Sequence, residues 1–104
     1  MSLAKYQKQV DDLCSMPGRG YWQPLAQLAH LVEETGELAR LYNHLYGEKP
    51  KKSSEAKQEV AGEVGDILFA LICIANQEGV DLGKALTATI TKSLTRDKDR
   101  FEKR

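Results

Sequence analysis

The chain has no long hydrophobic run, almost no cysteine and no net charge. Its longest uninterrupted apolar stretch is nine residues, 67–75. A membrane-spanning helix needs about 20, so no span and no membrane partner are expected. The N-terminus lacks the charged-then-apolar pattern of a secretion signal. Cys14 and Cys73 are the only cysteines, too few for a disulfide framework. A cytoplasmic protein with reduced thiols is therefore the expectation. Fifteen Lys and Arg balance fifteen Asp and Glu. The strongly basic balance of a nucleic-acid-binding domain is missing, so no nucleic-acid partner is expected. There is no internal repeat and no low-complexity stretch. What remains is ordinary for a folded chain: 41% hydrophobic and 29% charged residues, which argues against disorder. Splitting 104 residues in two would leave each half near the lower limit for a core. Residues 1–104 are read as a single domain.

The neutrality hides an asymmetry. Residues 1–50 carry a balance of −1, residues 51–83 a balance of −3, and residues 84–104 a balance of +4. An acidic middle and a basic end suit a site that holds a cation and then a polyanion. They equally suit a solvated basic tail.

Breakers divide the chain into four segments. Pro17, Gly18 and Gly20 mark one loop, Gly47 and Pro50 a second, and Gly79 a short third connection. The spacing predicts helices over residues 3–15, 24–46, 54–78 and 82–101. Pro24 suits the first turn of the second helix. Ser53 or Ser54 can cap the third, and Asp81 the fourth. The third segment is apolar on every side from 67 to 75. Such a helix must be covered all round, and three other short helices can barely do that. The reading is an all-α fold: a four-helix chain forming an oligomeric helical bundle, with segments two and three in the interface. Gly36, Gly62 and Gly65 lie inside these helices, where each costs about 1 kcal/mol relative to alanine. Close helix-to-helix approach is one reason to tolerate them.

Two acidic strings stand out. Segment two holds Glu33-Glu34-Thr35-Gly36-Glu37, and segment three holds Glu63-Val64-Gly65-Asp66. Helical residues three apart share a face, so Glu34 pairs with Glu37 and Glu63 with Asp66. At about 100° per residue, Glu34 falls beside the apolar stripe of its helix and Glu33 nearly opposite. Glu63 and Asp66 sit among Val60, Val64 and Ile67, where a carboxylate needs compensation. Nearby basic residues are few: Lys57 in segment three and Arg40 in segment two. A bound divalent cation would relieve the repulsion of four converging carboxylates. Hard oxygen ligands suit Mg²⁺, or Mn²⁺ as a substitute, rather than zinc. Neither His30 nor His44 completes a Glu-x-x-His pair, which counts against a ferritin-type di-iron site. The plainer alternative is a pair of solvated acidic faces.

Together these strings resemble the signature of the MazG-like nucleotide pyrophosphohydrolases, in the all-α NTP pyrophosphatase superfamily. The family pattern is E-E-x-x-E, a spacer, then E-x-x-D. Here Glu37 and Glu63 are separated by 25 residues. The flanks around Asn43, His44 and Gly47 to Lys52, and the ending from Arg96 to Phe101, look like its short single-domain YpjD-type branch. The resemblance implies a bundle that dimerises or doubles to a homotetramer. It implies hydrolysis of an NTP or dNTP between the α and β phosphates to a monophosphate and pyrophosphate, as house-cleaning enzymes do. It implies Mg²⁺ held by Glu34, Glu37, Glu63 and Asp66. Glu37 is assigned the attacking water and, with Glu63, forms the catalytic pair. Lys92 and Arg96 match positions that offer basic groups to phosphates; solvated charge is their alternative. Trp22 could stack on a base or staple the helix start, and His30, one turn before Glu34, could reach the site. Two other readings stay open: a relative acting on another diphosphate substrate of the phosphoribosyl-ATP type, and a non-catalytic nucleotide- or protein-binding helical oligomer.

Overall fold

Helix-forming periodicity, punctuated by glycine and proline, becomes four α-helices among the described residues of the computed structural model. It describes residues 2–47 and 53–102, with side chains described for 2–47 and 56–97. The elements are α1 (Leu3–Cys14), α2 (Pro24–Tyr46), α3 (Ser53–Glu78) and α4 (Leu82–Glu102). No strand occurs among the described residues. The expected segments differ from these by a residue at most at any end. Asp81 caps α4 as expected, its carboxylate accepting from the Lys84 N–H at 3.0 Å. Ser2 caps α1 in the same way, accepting from the Lys5 N–H. The side chains of Ser53 and Ser54, on which the expected cap depends, and the flank from Glu48 to Lys52 lie outside what is described.

Gly79 ends α3 with φ +67°, a backbone conformation that suits glycine. The Val80 N–H then donates to the Ala75 carbonyl at 2.8 Å and the Gly79 N–H to Asn76 at 3.3 Å. This is a Schellman closure, and it sends the chain into α4 after only two further residues.

α2 and α3 form the main packed pair, and α1 lies on α3. Gln27 of α2 shares a cavity with Phe69 and Cys73 of α3, while Glu37 shares one with Glu63. The two helices therefore run antiparallel. Val10 of α1 packs with Ile72 and Cys73, and Cys14, Tyr21 and Leu82 close around them. A polar clasp sits at the same junction. The Asn76 amide donates to the Gln7 carbonyl at 2.9 Å and to the Tyr21 hydroxyl at 3.0 Å. Gln7 donates to Asn76 and to the Val80 carbonyl, and accepts from the Leu82 N–H.

The chain leaves much apolar surface uncovered. Ala70, Ile72, Cys73 and Ala75 of the apolar run are buried, but Leu68, Phe69 and Leu71 are exposed. On α4, Leu86, Ile90 and Leu94 are exposed at helical spacing. A groove between α3 and α4 is lined by Leu68, Leu71, Leu82 and Leu86, with Leu3 at its edge. The radius of gyration is 17.5 Å, against about 13 Å for a compact chain of this length. One chain alone does not cover the apolar run. The helical glycines behave likewise: a Cβ placed at Gly36, Gly62 or Gly65 would meet nothing within 4 Å. Close approach inside the chain is thus not what they serve. No helix among the described residues is long and apolar enough to cross a membrane.

Candidate metal centre and the adjoining cavity

The antiparallel register of α2 and α3 brings three of the acidic residues together. Glu34 and Glu37 stand one turn apart on α2, and Glu63 faces them from α3. One oxygen of each lies within 4.8 Å of the others. The Oε2 atoms of Glu34 and Glu63 are buried and have no hydrogen-bond partner. Glu37 is exposed, so it is the member open to solvent. Glu33 is exposed too, as its place on the helix face predicts.

The electrostatics follow from this crowding. Burial pushes the Glu63 carboxyl above the usual carboxylate range, and Glu37, Glu34 and Asp66 push it further. Burial likewise raises Glu34, reinforced by Glu37 and Asp66 and opposed by His30. Buried carboxylate oxygens without partners are costly. A hard divalent cation satisfies such oxygens and removes the repulsion at once. The donor set, all carboxylate oxygen, fits Mg²⁺ or Mn²⁺.

Asp66 is not a member of this cluster. It is exposed on α3, near enough to act on Glu34 and Glu63 through its charge. Lys92 and Arg96 are also exposed, and Arg96 sits 3.6 Å from the Asp97 carboxylate. The chain does not bring them to the cluster, because α4 leaves the α2–α3 pair and packs on α1. The basic groups beside the carboxylates are different ones. Arg40, Leu41 and His44 line a cavity of about 300 Å³ with Glu37 and Glu63. Arg40 and His44 follow Glu37 by three and seven residues, the spacing of one helical face. That spacing was the available signal for them.

On the other side of Glu34 lies a larger cavity, about 560 Å³. Trp22 and His30, the two expected base contacts, both line it. Their rings meet edge to face with centroids 4.8 Å apart, a favoured aromatic geometry. His30 Nε2 is 3.5 Å from Glu34 Oε1. The histidine thus joins the cavity to the carboxylates. Arg19, Tyr21, Gln27 and Phe69 complete most of the wall, with Cys14 and Cys73 at its base. Tyr21 is fixed by its hydroxyl, which donates to Asp11 at 2.6 Å and accepts from Asn76. Burial and that Asp11 contact push its hydroxyl up to about 12. The two thiols are free. Burial and the neighbouring Cys14 push Cys73 up to about 11.

Comparison with known proteins supplies relatives of the whole chain. Residues 23–101 match the MazG nucleotide pyrophosphohydrolase domain. The chain is 46% identical over 98 residues to YpjD of Bacillus subtilis (strain 168), covering 94% of this chain and 88% of that one. It is 30% identical over 94 residues to YvdC of the same organism, covering 85% and 89%. A crystal structure of YpjD from Bacillus subtilis superposes with a TM-score of 0.78 at 42% identity, covering 88% of this chain and 94% of that one. The crystal structure of the Bacillus-conserved MazG protein, a nucleotide pyrophosphohydrolase, gives 0.73 at 38% identity, covering 88% of each.

Proposed function

The chain belongs to the MazG nucleotide pyrophosphohydrolase family and is a hydrolase of nucleotide pyrophosphate bonds, and from that premise we propose its substrate and metal. The substrate is a nucleoside or deoxynucleoside triphosphate. It is cleaved between the α and β phosphates to the monophosphate and pyrophosphate, with Mg²⁺, in a house-cleaning role. The enzyme works as a cytoplasmic homo-oligomer, a dimer or a dimer of dimers. The observation that carries this reading is the pair of buried, unpartnered Oε2 atoms on Glu34 and Glu63, within a three-carboxylate cluster.

Each residue then has a task. Glu34, Glu37 and Glu63 would hold the cation, with Asp66 lending charge from the rim. The bound ion supplies neutralisation of the phosphate oxygens and a template for an in-line water. Glu37, the open carboxylate, accepts a hydrogen bond from that water and can take its proton. Arg40 and His44 offer hydrogen-bond donors on the Glu37 side, suited to a phosphate chain. Trp22 and Phe69 offer aromatic surface on the other side, suited to a base. His30 orients Glu34 from the cavity side.

The test is pyrophosphate release from a panel of NTPs and dNTPs, with Mg²⁺ and with EDTA. Release is expected with Mg²⁺ only. Glu63→Gln is expected to lower it by at least the roughly 10- to 100-fold lost when residues that merely support a metal's ligands are removed. No release by a folded oligomer from any triphosphate would sink the reading. Another diphosphate substrate or a non-catalytic binder would then take its place.

A further inference from the structure

The larger cavity holds one buried polar residue that the carboxylate cluster does not use. Gln27 is 5% exposed, the one buried polar residue among those described. Its backbone N–H donates to the Gln23 carbonyl within the helix start. Gln27 lines the cavity, and its side chain makes no hydrogen bond to the described residues. Tyr21 and His30 on the same wall have partners. The buried, unpartnered side-chain atoms are those of Glu34 and Glu63, so the Gln27 carboxamide keeps access to the cavity and is free to meet a ligand there.

We infer that Gln27 is a base-reading residue: its carboxamide, offering a donor and an acceptor side by side, pairs with the hydrogen-bonding edge of the substrate's nucleobase. The inference rests on the nucleotide-hydrolase reading and adds the group that selects the base. Three observations support the orientation. Gln27, His30, Glu34 and Glu37 follow one another at spacings of three, four and three, so they share one face of α2. Gln27 and Glu34 are therefore about 10 Å apart along the helix axis, comparable to the reach from a base edge to an α-phosphate. Trp22 and Phe69 flank Gln27 in the cavity, giving a base a ring to stack on. A volume of about 560 Å³ falls in the ordinary range for small-molecule sites.

Much of the opposing wall comes from outside the family-matched residues 23–101. Cys14, Gly18, Arg19, Gly20, Tyr21 and Trp22 all precede them. The base end of the site is thus built partly from this chain's own N-terminal segment. A site that pairs a buried polar group with its substrate rejects substrates lacking the matching group far more strongly than an apolar pocket can.

The experiment compares wild type with Gln27→Leu on the triphosphate panel. The expected result is a fall of about tenfold or more in kcat/KM for the preferred base. The disfavoured bases should change by less than about threefold, and the ribose-to-deoxyribose ratio should stay put. An equal loss on every base, or unchanged base preference, overturns the inference. Gln27→Glu keeps the shape but removes the donors; should the leucine variant misfold, the same collapse of preference is expected from it. A second arm needs neither metal nor turnover. Trp22 is the single tryptophan, and its fluorescence quenching reports nucleoside monophosphates binding in EDTA. Base-selective quenching that Gln27→Leu flattens supports the inference even where no triphosphate is hydrolysed, so the two readings fail separately. No quenching of wild type by any monophosphate overturns it.

Discussion

Truncating Ile90 to alanine should weaken self-association by a calculable amount. The accessible surface of the chain is 8308 Å². A compact monomer of 11.6 kDa exposes about 5,800 Å². The excess, about 2,500 Å² per chain, puts a symmetric pair in the range of obligate dimers. Ile90 is 51% exposed in the single chain, on the α4 face that continues Leu86 and Leu94. Full burial of such a side chain stabilises by about 1.5–3 kcal/mol. Covering the exposed half therefore contributes about 0.8 to 1.5 kcal/mol. In a two-fold dimer the same residue is lost twice, giving about 1.5 to 3 kcal/mol. That is about a 10- to 150-fold weaker dissociation constant. Sedimentation equilibrium over a dilution series measures it directly. Where the wild-type dimer is too tight, the concentration dependence of the unfolding midpoint reports the same shift. A wild-type protein that sediments as 11.6 kDa at every concentration, or an Ile90→Ala variant with unchanged association, would refute the reasoning.

Three further outcomes follow from the site and its supports. In metal-free protein, burial and the neighbouring carboxylates raise the Glu34 and Glu63 carboxyls above the ordinary value of 4.5. The folded chain then binds more protons than the unfolded one above that value, so stability falls as pH rises through the window and stays lowered once both are ionised. Thermal unfolding in EDTA from pH 4 upward should show that fall, and Mg²⁺ should reverse it with an effect that grows with pH; a metal-free midpoint that instead climbs through this window would contradict the carboxylate assignment. Asn76→Ala removes the centre of the clasp between α1 and α3. Leaving its part-buried partners unpaired should cost about 1–3 kcal/mol, lowering the midpoint by about 4–8 °C per kcal/mol at fixed concentration; a shift under 2 °C would show the clasp to be marginal. Cys73, with its thiol pushed up to about 11, should resist alkylation at pH 8 while the more accessible Cys14 reacts; mass-spectrometric mapping with Cys73 labelled first would overturn the assignment.

The helices and most of the cluster were legible because they depend on spacing along a single element. Pro24, Asp81 and Gly79 set helix ends within two or three residues, and Glu34 with Glu37, and Glu63 with Asp66, share a face by local geometry. What spacing cannot supply is which neighbouring helix each face meets. Asp66 shares a helical face with Glu63, yet of the two only Glu63 joins Glu34 and Glu37 in the cluster. Lys92 and Arg96 have the charge a phosphate needs, but α4 turns toward α1. Arg40 and His44 have the same capability and are carried on α2, beside the carboxylates. Gln27 was legible only as the residue that denied His30 a Glu-x-x-His partner. Its cavity is lined by Cys14, the 18–22 loop and Phe69 and Cys73 of α3, a meeting of segments that no local period encodes. The exposed Phe69 and Leu71 make the same point in reverse. Their apolar character was plain in the sequence, and one chain does not hold the surface that covers them.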